Sequence, residues 1–251
     1  HTPYVAPKKY FDLYRRDSIK IPESNDQYLA SLPLPAAKSI RAKKNQIDLD
    51  KELAKEIKEA YYATTSFVDA QVGRILEKLK NSGLAKNTLV IFTSDHGYHL
   101  GEHGHWQKQT LFEDATRIPL IFSGPGIKKG IKISSAPVEL IDIYPTIMDF
   151  TGIETPKHVV GKSLKVIIDD SSKLVRNSAL TKCRNGYSMK SERYRITKWG
   201  KEGELGYELY DHNFDKNEMN LSGKQNFSIS MFEAFLNSRM TVHNIVLFLE
   251  D

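Results

Sequence analysis

With 251 residues, 40% of them apolar, the chain has enough hydrocarbon for one large domain or a medium domain joined to a smaller one. It carries 36 Lys and Arg against 31 Asp and Glu, and this net charge of +5 is spread along the sequence. That balance favours anionic ligands mildly and, without a basic helix, finger or aromatic RNA-binding signature, argues against nucleic acid.

No run approaches the roughly 20 apolar residues that span a bilayer, so no membrane partner is expected, and the N-terminus lacks a signal-peptide pattern. The single cysteine, Cys183, cannot form an internal disulfide and leaves the compartment open.

The first 47 residues read as an irregular wrapping segment. Prolines at 3, 7, 22, 33 and 35 fix φ and remove donors between the short apolar pieces Tyr10-Phe11 and Tyr28-Leu29. A start on His1, Thr2, Pro3 and Tyr4 is expected of a chain that begins inside a larger fold. From about Asp48 to Ser82, Leu53, Ile57, Tyr61, Thr64, Val68, Val72, Ile75 and Leu79 recur every three or four residues. This predicts one long amphipathic helix, stopped by Gly83.

Residues 88–92 (TLVIF) form a continuous β-branched and aromatic run, predicting a strand buried on both faces; residues 118–122 (IPLIF) predict a second. Asp142 is placed to cap a helix with Pro145 in its first turn, ending at Gly152. After Pro156 the composition shifts, and 187–190, 194–199 and 208–210 alternate between glycines, predicting a small antiparallel sheet. Residues 227–240 predict a terminal helix. The expected architecture is α/β: a sheet covered by helices on both faces over 1–156, then a small α+β subdomain with an antiparallel sheet over 157–251.

The stretch 93–108 (TSDHGYHLGEHGHWQK) carries the chemistry. In open α/β sheets ligands bind beyond the carboxyl ends of strands, where Asp95 and His96 fall. A carboxylate there suits a hard divalent cation, and His96 suits a metal or an anion. Three plainer readings stand beside this one. Asp95 caps the next turn; the histidines at 96, 99, 103 and 105 cluster by chance; or His99 and His103 hold zinc, although Leu100 stands where the metalloprotease pattern needs Glu.

Several motifs carry a family resemblance: 61–73 (YYATTSFVDAQVG), 87–97 (NTLVIFTSDHG), 100–104 (LGEHG), 106–108 (WQK), 117–121 (RIPLI) and 142–146 (DIYPT). Weaker likenesses at 186–190 (GYSMK), 193–199 (RYRITKW) and 208–211 (ELYD) extend it. Together they resemble the type I, formylglycine-dependent sulfatases of the alkaline phosphatase superfamily, in the iduronate-2-sulfatase-like branch, and specifically their C-terminal portion.

The resemblance implies an alkaline-phosphatase-like sheet and a sulfuric ester hydrolase acting on a sulfated saccharide. It also implies a periplasmic, secreted or lysosomal setting. Asp95 and His96 match the pair that completes a calcium site begun by two aspartates near the family's N-terminus. Lys108 matches the lysine that contacts sulfate, and His1 resembles the histidine of the Lys-Pro-His motif that does the same, giving His1, His96 and Lys108 as catalytic candidates. His103, Trp106 and Arg184 are substrate-binding candidates, with a structural turn at 101–104, packing of Trp106 under the loop and a solvated loop at Arg184 as the alternatives.

The family's formylglycine arises from Cys or Ser in Cys/Ser-x-Pro/Ala-x-Arg, and no such motif occurs in these 251 residues. Cys183, followed by Arg184, Asn185 and Gly186, reads as an ordinary sheet residue. The resemblance therefore implies an N-terminal partner segment carrying the nucleophile, with this chain supplying about half of the site. The competing functions are a phosphodiesterase or phosphonate monoester hydrolase of the same superfamily, and a non-catalytic remnant of the fold.

Overall fold

The computed structural model describes residues 2–24, 26–128, 130 and 133–221. His1 and the predicted helix at 227–240 lie outside them. Among the described residues no helix is long and apolar enough to cross a membrane.

The proline-rich start folds into α1 (Lys8–Phe11), α2 (Asp26–Ser31) and α3 (Leu34–Ile40), with single 3-10 turns at Arg16–Ser18 and Lys44–Gln46. Pro33 precedes α3 and Pro35 lies in its first turn, where no intrahelical N–H is lost. The long helix α4 spans Lys51–Asn81. The Asp50 carboxylate accepts from Glu52 N and Leu53 N at its start, and Gly83 takes a left-handed φ of 75° beyond its end.

Its buried positions are Ala54, Lys58, Glu59 and Ala63, whereas Leu53, Val68 and Ile75 of the predicted stripe are exposed. The alanines admit close packing. The charged pair is neutralised locally, with Arg16 Nη2 2.6 Å from Glu59 Oε2 and Lys58 Nζ donating to Lys20 O.

Strand β1 (Val90–Thr93) leads to a minimal hairpin, β2 (His99–Leu100) with β3 (Trp106–Gln107), then α5 (Glu113–Thr116) and β4 (Leu120–Ser123). β1 and β4 pair antiparallel, Val90 opposite Ser123 and Thr93 opposite Leu120. The expected burial of both faces is not seen here, since Phe92 and Ile121 are exposed. Helix α6 (Ile143–Thr151) stops at Gly152 as predicted. Asp142, however, does not cap it. Its carboxylate accepts from Glu139 N and Lys162 N and pairs with the buried Arg176, because a buried guanidinium demands a bidentate partner.

After α7 (Lys165–Asp169), strands β5 (Ala179–Cys183), β6 (Gly186–Lys190), β7 (Tyr194–Trp199) and β8 (Tyr207–Asp211) form one antiparallel sheet in chain order. Its inward face mixes polar side chains with the buried rings of Trp199 and Tyr210. Arg195 Nε donates to Glu218 Oε1 at 2.5 Å, Nη1 to Ser188 Oγ at 3.0 Å, and Nη2 to Glu113, which fastens the sheet to α5. Around this network Tyr28, Leu32, Ala36 and Ile40 pack with Leu111, Phe112, Trp199 and Tyr210. The N-terminal helices, the loop after β3 and the sheet thus share one core.

Candidate active site

Asp95 and His96 stand just past the end of β1, as the sequence places them. The Ser94 hydroxyl donates to His96 O at 2.8 Å, and the Asp95 Oδ1 accepts from His96 N at 3.1 Å, so the local turn is braced by side chains. The capping reading and the ligand reading therefore coexist in Asp95: one oxygen serves the turn, while Oδ2 lies 3.6 Å from His96 Nε2.

The Asp95 side chain is 74% exposed and that of His96 is 11% exposed. His96 Nδ1 lies 2.8 Å from Gly97 O. A carbonyl only accepts, so Nδ1 carries a proton, and Nε2 is the ring nitrogen on the side of Asp95 Oδ2. Fixing a ligand imidazole through its other nitrogen is how proteins orient metal-binding histidines. One carboxylate oxygen and one imidazole nitrogen fit a divalent cation as part of a larger set; calcium takes six to eight ligands.

Gly97 serves this loop by close approach rather than by a left-handed turn. Its N–H donates to Ala115 O at 2.8 Å, and a Cβ there would stand 2.0 Å from Asp114 O. The chain then runs through the hairpin to Lys108. Asp95, His96 and Lys108 line one open cleft of about 1540 Å³, together with Lys182, Lys190 and Arg117. With Lys128, Lys162, Arg195 and Lys216 also on the lining, the basic side chains favour an anion. Burial holds the Lys190 ammonium below its ordinary pKa, and its Nζ donates to Ser191 O at 2.6 Å. Lys190 is a cation the sequence offers as a contact for a carboxylate or a second sulfate; Lys182, brought in by the sheet, and Arg117, at the end of α5, are not marked by any motif as cleft residues.

Arg184 does not line the cleft. It is exposed on the β5–β6 turn with φ 53°, and its Nη2 donates to Gln109 Oε1 at 3.2 Å, one residue after Lys108. Tyr4 Oη lies 2.5 Å from Tyr98 Oη, which brings the N-terminal segment to the loop two residues after His96.

His103 and Trp106 need correction as substrate contacts. They are 1% and 6% exposed, and neither lines the cleft. His103 stacks on Phe112 with centroids 4.1 Å apart, and its Nδ1 is 2.8 Å from Tyr28 Oη; Trp106 packs beneath the turn against Gly101. Nor do His99 and His103 share a helix: His99 is in β2, and His103 is in a 3-10 turn with φ 57°.

Burial lowers the pKa of all three imidazoles: His99 well below its ordinary value, His103 to about 4, and His105 less. Asp114, beside them, is pushed up to about 6, first by burial and then by the charge of Glu102. Buried polar groups thus lie behind the loop, and exposed ionisable ones in front of it.

Residues 1–153 match the family model described as Sulfatase, and residues 101–241 match the one described as N-sulphoglucosamine sulphohydrolase, C-terminal. The chain is 38% identical to a sulfatase of Formosa agariphila over 227 residues, covering 87% of this chain and 43% of that protein. It is 31% identical to the N-acetylglucosamine-6-O-sulfatase of Bacteroides thetaiotaomicron, over 67% of this chain and 32% of that one.

A phosphonate monoester hydrolase structure from Silicibacter pomeroyi shares the fold with a TM-score of 0.84 at 23% identity, covering 99% of this chain and 56% of that one. The chain thus spans less than half the length of these curated relatives. With more than half of its residues under one such model, it belongs to the sulfatase family of the alkaline phosphatase superfamily and has that superfamily's α/β fold.

Proposed function

We propose that the protein to which this chain belongs hydrolyses a sulfate ester on a saccharide, and that this chain supplies the cation-binding and sulfate-binding part of the site. The observation that carries the reading is the convergence of Asp95, His96 and Lys108 on one basic cleft in a sulfatase-family chain. The saccharide is supported by the N-acetylglucosamine-6-O-sulfatase relative and by the N-sulphoglucosamine sulphohydrolase model. Within the family we place the chain in the iduronate-2-sulfatase-like branch, on the motifs at 93–108, as the C-terminal portion of a formylglycine enzyme. A periplasmic, secreted or lysosomal setting goes with that reading.

Asp95 and His96 would hold a calcium ion, which supplies charge stabilisation for the sulfuryl oxygens. Lys108 neutralises the anionic ester and stabilises charge that grows on the leaving oxygen as the S–O bond breaks. His96 is oriented by its Nδ1 bond to Gly97 O, which makes Nε2 the nitrogen that would meet the ion. His1, three residues before Tyr4, is a further sulfate contact, and Arg184, exposed outside the cleft lining, is a contact only for anionic groups of a saccharide that extends out of the cleft. The nucleophile is a formylglycine outside these 251 residues, which hold no motif for it.

Sulfate release by the full-length protein from an aryl sulfate and from a 6-O-sulfated glucosamine tests this, beside an aryl phosphonate monoester. Turnover of sulfate esters that is lost in Lys108→Ala, lost with chelator and restored by calcium is expected. Preferred turnover of the phosphonate would move the protein to the phosphonate hydrolases, and no turnover of either would favour a non-catalytic fold.

A further inference from the structure

We propose that His99, Glu102 and Asp114, with His103 beside Asp114, form a second metal site, a half-buried zinc centre that ties the loop bearing Asp95, His96 and Lys108 to α5. The site is separate from the open cleft.

The hydrogen bonds fix which nitrogens are available. The Tyr28 hydroxyl donates to Glu218 O at 2.9 Å, so its oxygen accepts from His103 Nδ1 at 2.8 Å, and His103 Nε2 keeps a lone pair. His99 Nε2 lies 2.7 Å from Thr110 Oγ1, and in the tautomer that donates to this hydroxyl His99 Nδ1 keeps a lone pair. His99 Nδ1 and His103 Nε2 are fully buried without a hydrogen-bond partner, on residues 0% and 1% exposed. Both aim at one atom: each lies 3.9 Å from Asp114 Oδ2. A Glu102 carboxylate oxygen completes the group, within 4.8 Å of ligand atoms on both His99 and Asp114.

These contacts are too long for hydrogen bonds, and with Asp114 ionised every converging atom is an acceptor. A water molecule has two protons to offer and leaves at least one acceptor unmet; a cation satisfies them all. In a tetrahedral zinc site with bonds of about 2.0 to 2.2 Å, ligand atoms stand roughly 3.3 to 3.5 Å apart. A contraction of about half an ångström brings the two Asp114 contacts to that spacing, and His103, which approaches only Asp114 this closely, would have to swing further to join the other ligands.

The charge also balances, two carboxylates and two neutral imidazoles against a dication. In the absence of a metal, Lys58 Nζ at 4.0 Å from Glu102 is the cation at hand, and Asp114 is held towards its protonated form. Two imidazoles favour zinc over calcium; the histidines are buried, while the Asp114 and Glu102 side chains, 35% and 30% exposed, leave the ion a path from solvent. The cluster of Glu113, His212 and Glu218 offers a contrast. There the Arg195 guanidinium already sits among the carboxylates and plays the cation's part.

The test uses full-length protein stripped by chelator, saturated with calcium, and titrated calorimetrically with zinc. One zinc per chain is expected, retained in Asp95→Ala and weakened by at least about tenfold in Asp114→Asn and in His99→Gln. Cobalt in place of zinc is expected to give the visible absorption of a tetrahedral ion. No zinc uptake by the calcium-loaded protein would overturn the proposal, as would uptake that Asp95→Ala abolishes or that both other variants leave unchanged. If those variants do not fold, X-ray absorption at the zinc edge of the wild type decides: imidazole scattering with bonds at about 2.0 to 2.1 Å supports the site, and its absence removes it.

Discussion

Gly97 rests directly against the backbone of Asp114: a Cβ at 97 would stand 2.0 Å from the Asp114 carbonyl oxygen. The contact docks the loop that begins with Asp95 and His96 onto α5, and the bond from Gly97 N to Ala115 O seals it. Gly97→Ala forces the two backbones apart. We expect it to destabilise the protein by about 1–3 kcal/mol, as overpacking does. A urea midpoint indistinguishable from wild type would show that the loop is free to move aside.

Lys108 is the cleft's cation nearest in sequence to the Asp95–His96 pair, twelve residues beyond His96. If it stabilises charge on the ester, Lys108→Ala in the full-length enzyme lowers kcat/KM by on the order of 10²–10³, with the loss mainly in kcat. Steady-state kinetics on an aryl sulfate measure the split. A change confined to KM would reduce Lys108 to a ground-state binding residue.

The 251-residue chain by itself should release no sulfate from aryl or sugar sulfates, because the sequence contains no Cys/Ser-x-Pro/Ala-x-Arg motif to generate a formylglycine. Ion chromatography of long incubations with calcium is the check, and calcium-dependent turnover would mean that another group in this chain attacks sulfur.

Arg195 is a buried side chain held by Glu218, Glu113 and Ser188. Arg195→Ala leaves two carboxylates facing one another without their cation, and the expected loss is about 3–5 kcal/mol. Arg195→Lys should recover only part of it, since an ammonium cannot reproduce the fork that reaches three partners. Equal urea midpoints for wild type and Arg195→Lys would mean that charge alone, not geometry, matters at this position.

What was legible in the sequence is what local periodicity and capping control. Helix α4 announces itself through its repeating apolar positions and the Gly83 stop, β1 and β4 through their apolar runs, and β6 to β8 through alternation between glycines. Asp95 and His96 were legible because the end of a strand is a place with a known use.

The inward face of the sheet was not. A period of two says which residues share a face, but not that the face with Arg195, Ser188 and Glu208 turns inward. That is decided by Glu113 and Glu218, 82 and 23 residues from Arg195. His99 and His103 stood in the sequence as a zinc pair, but the approach of Asp114 to both was hidden for the same reason. The β2–β3 hairpin and α5 assemble it, and no linear motif spans them.

Glu208 supplies a pH dependence with a definite sign. Burial pushes its carboxyl up to about 7, against the pull of Trp199 Nε1 and Tyr210 Oη, which donate to it at 2.5 and 2.7 Å. The folded state therefore holds a proton that the unfolded chain, with an ordinary value near 4.5, releases earlier. Stability from this group is complete below about pH 4.5 and is lost as the pH rises to about 7, by on the order of 3 kcal/mol.

The buried His103, lowered to about 4, works the other way: its contribution is intact above pH 6.5 and fades as the pH falls towards 4. Glu208→Gln keeps a neutral acceptor and removes only the rising-pH loss. Urea midpoints of chelated wild type and Glu208→Gln between pH 4 and 8 should therefore diverge above pH 4.5, with the variant holding its stability through neutrality. Parallel curves would show that Glu208 is ionised in the fold across the whole range, and that the donors from Trp199 and Tyr210 outweigh its burial.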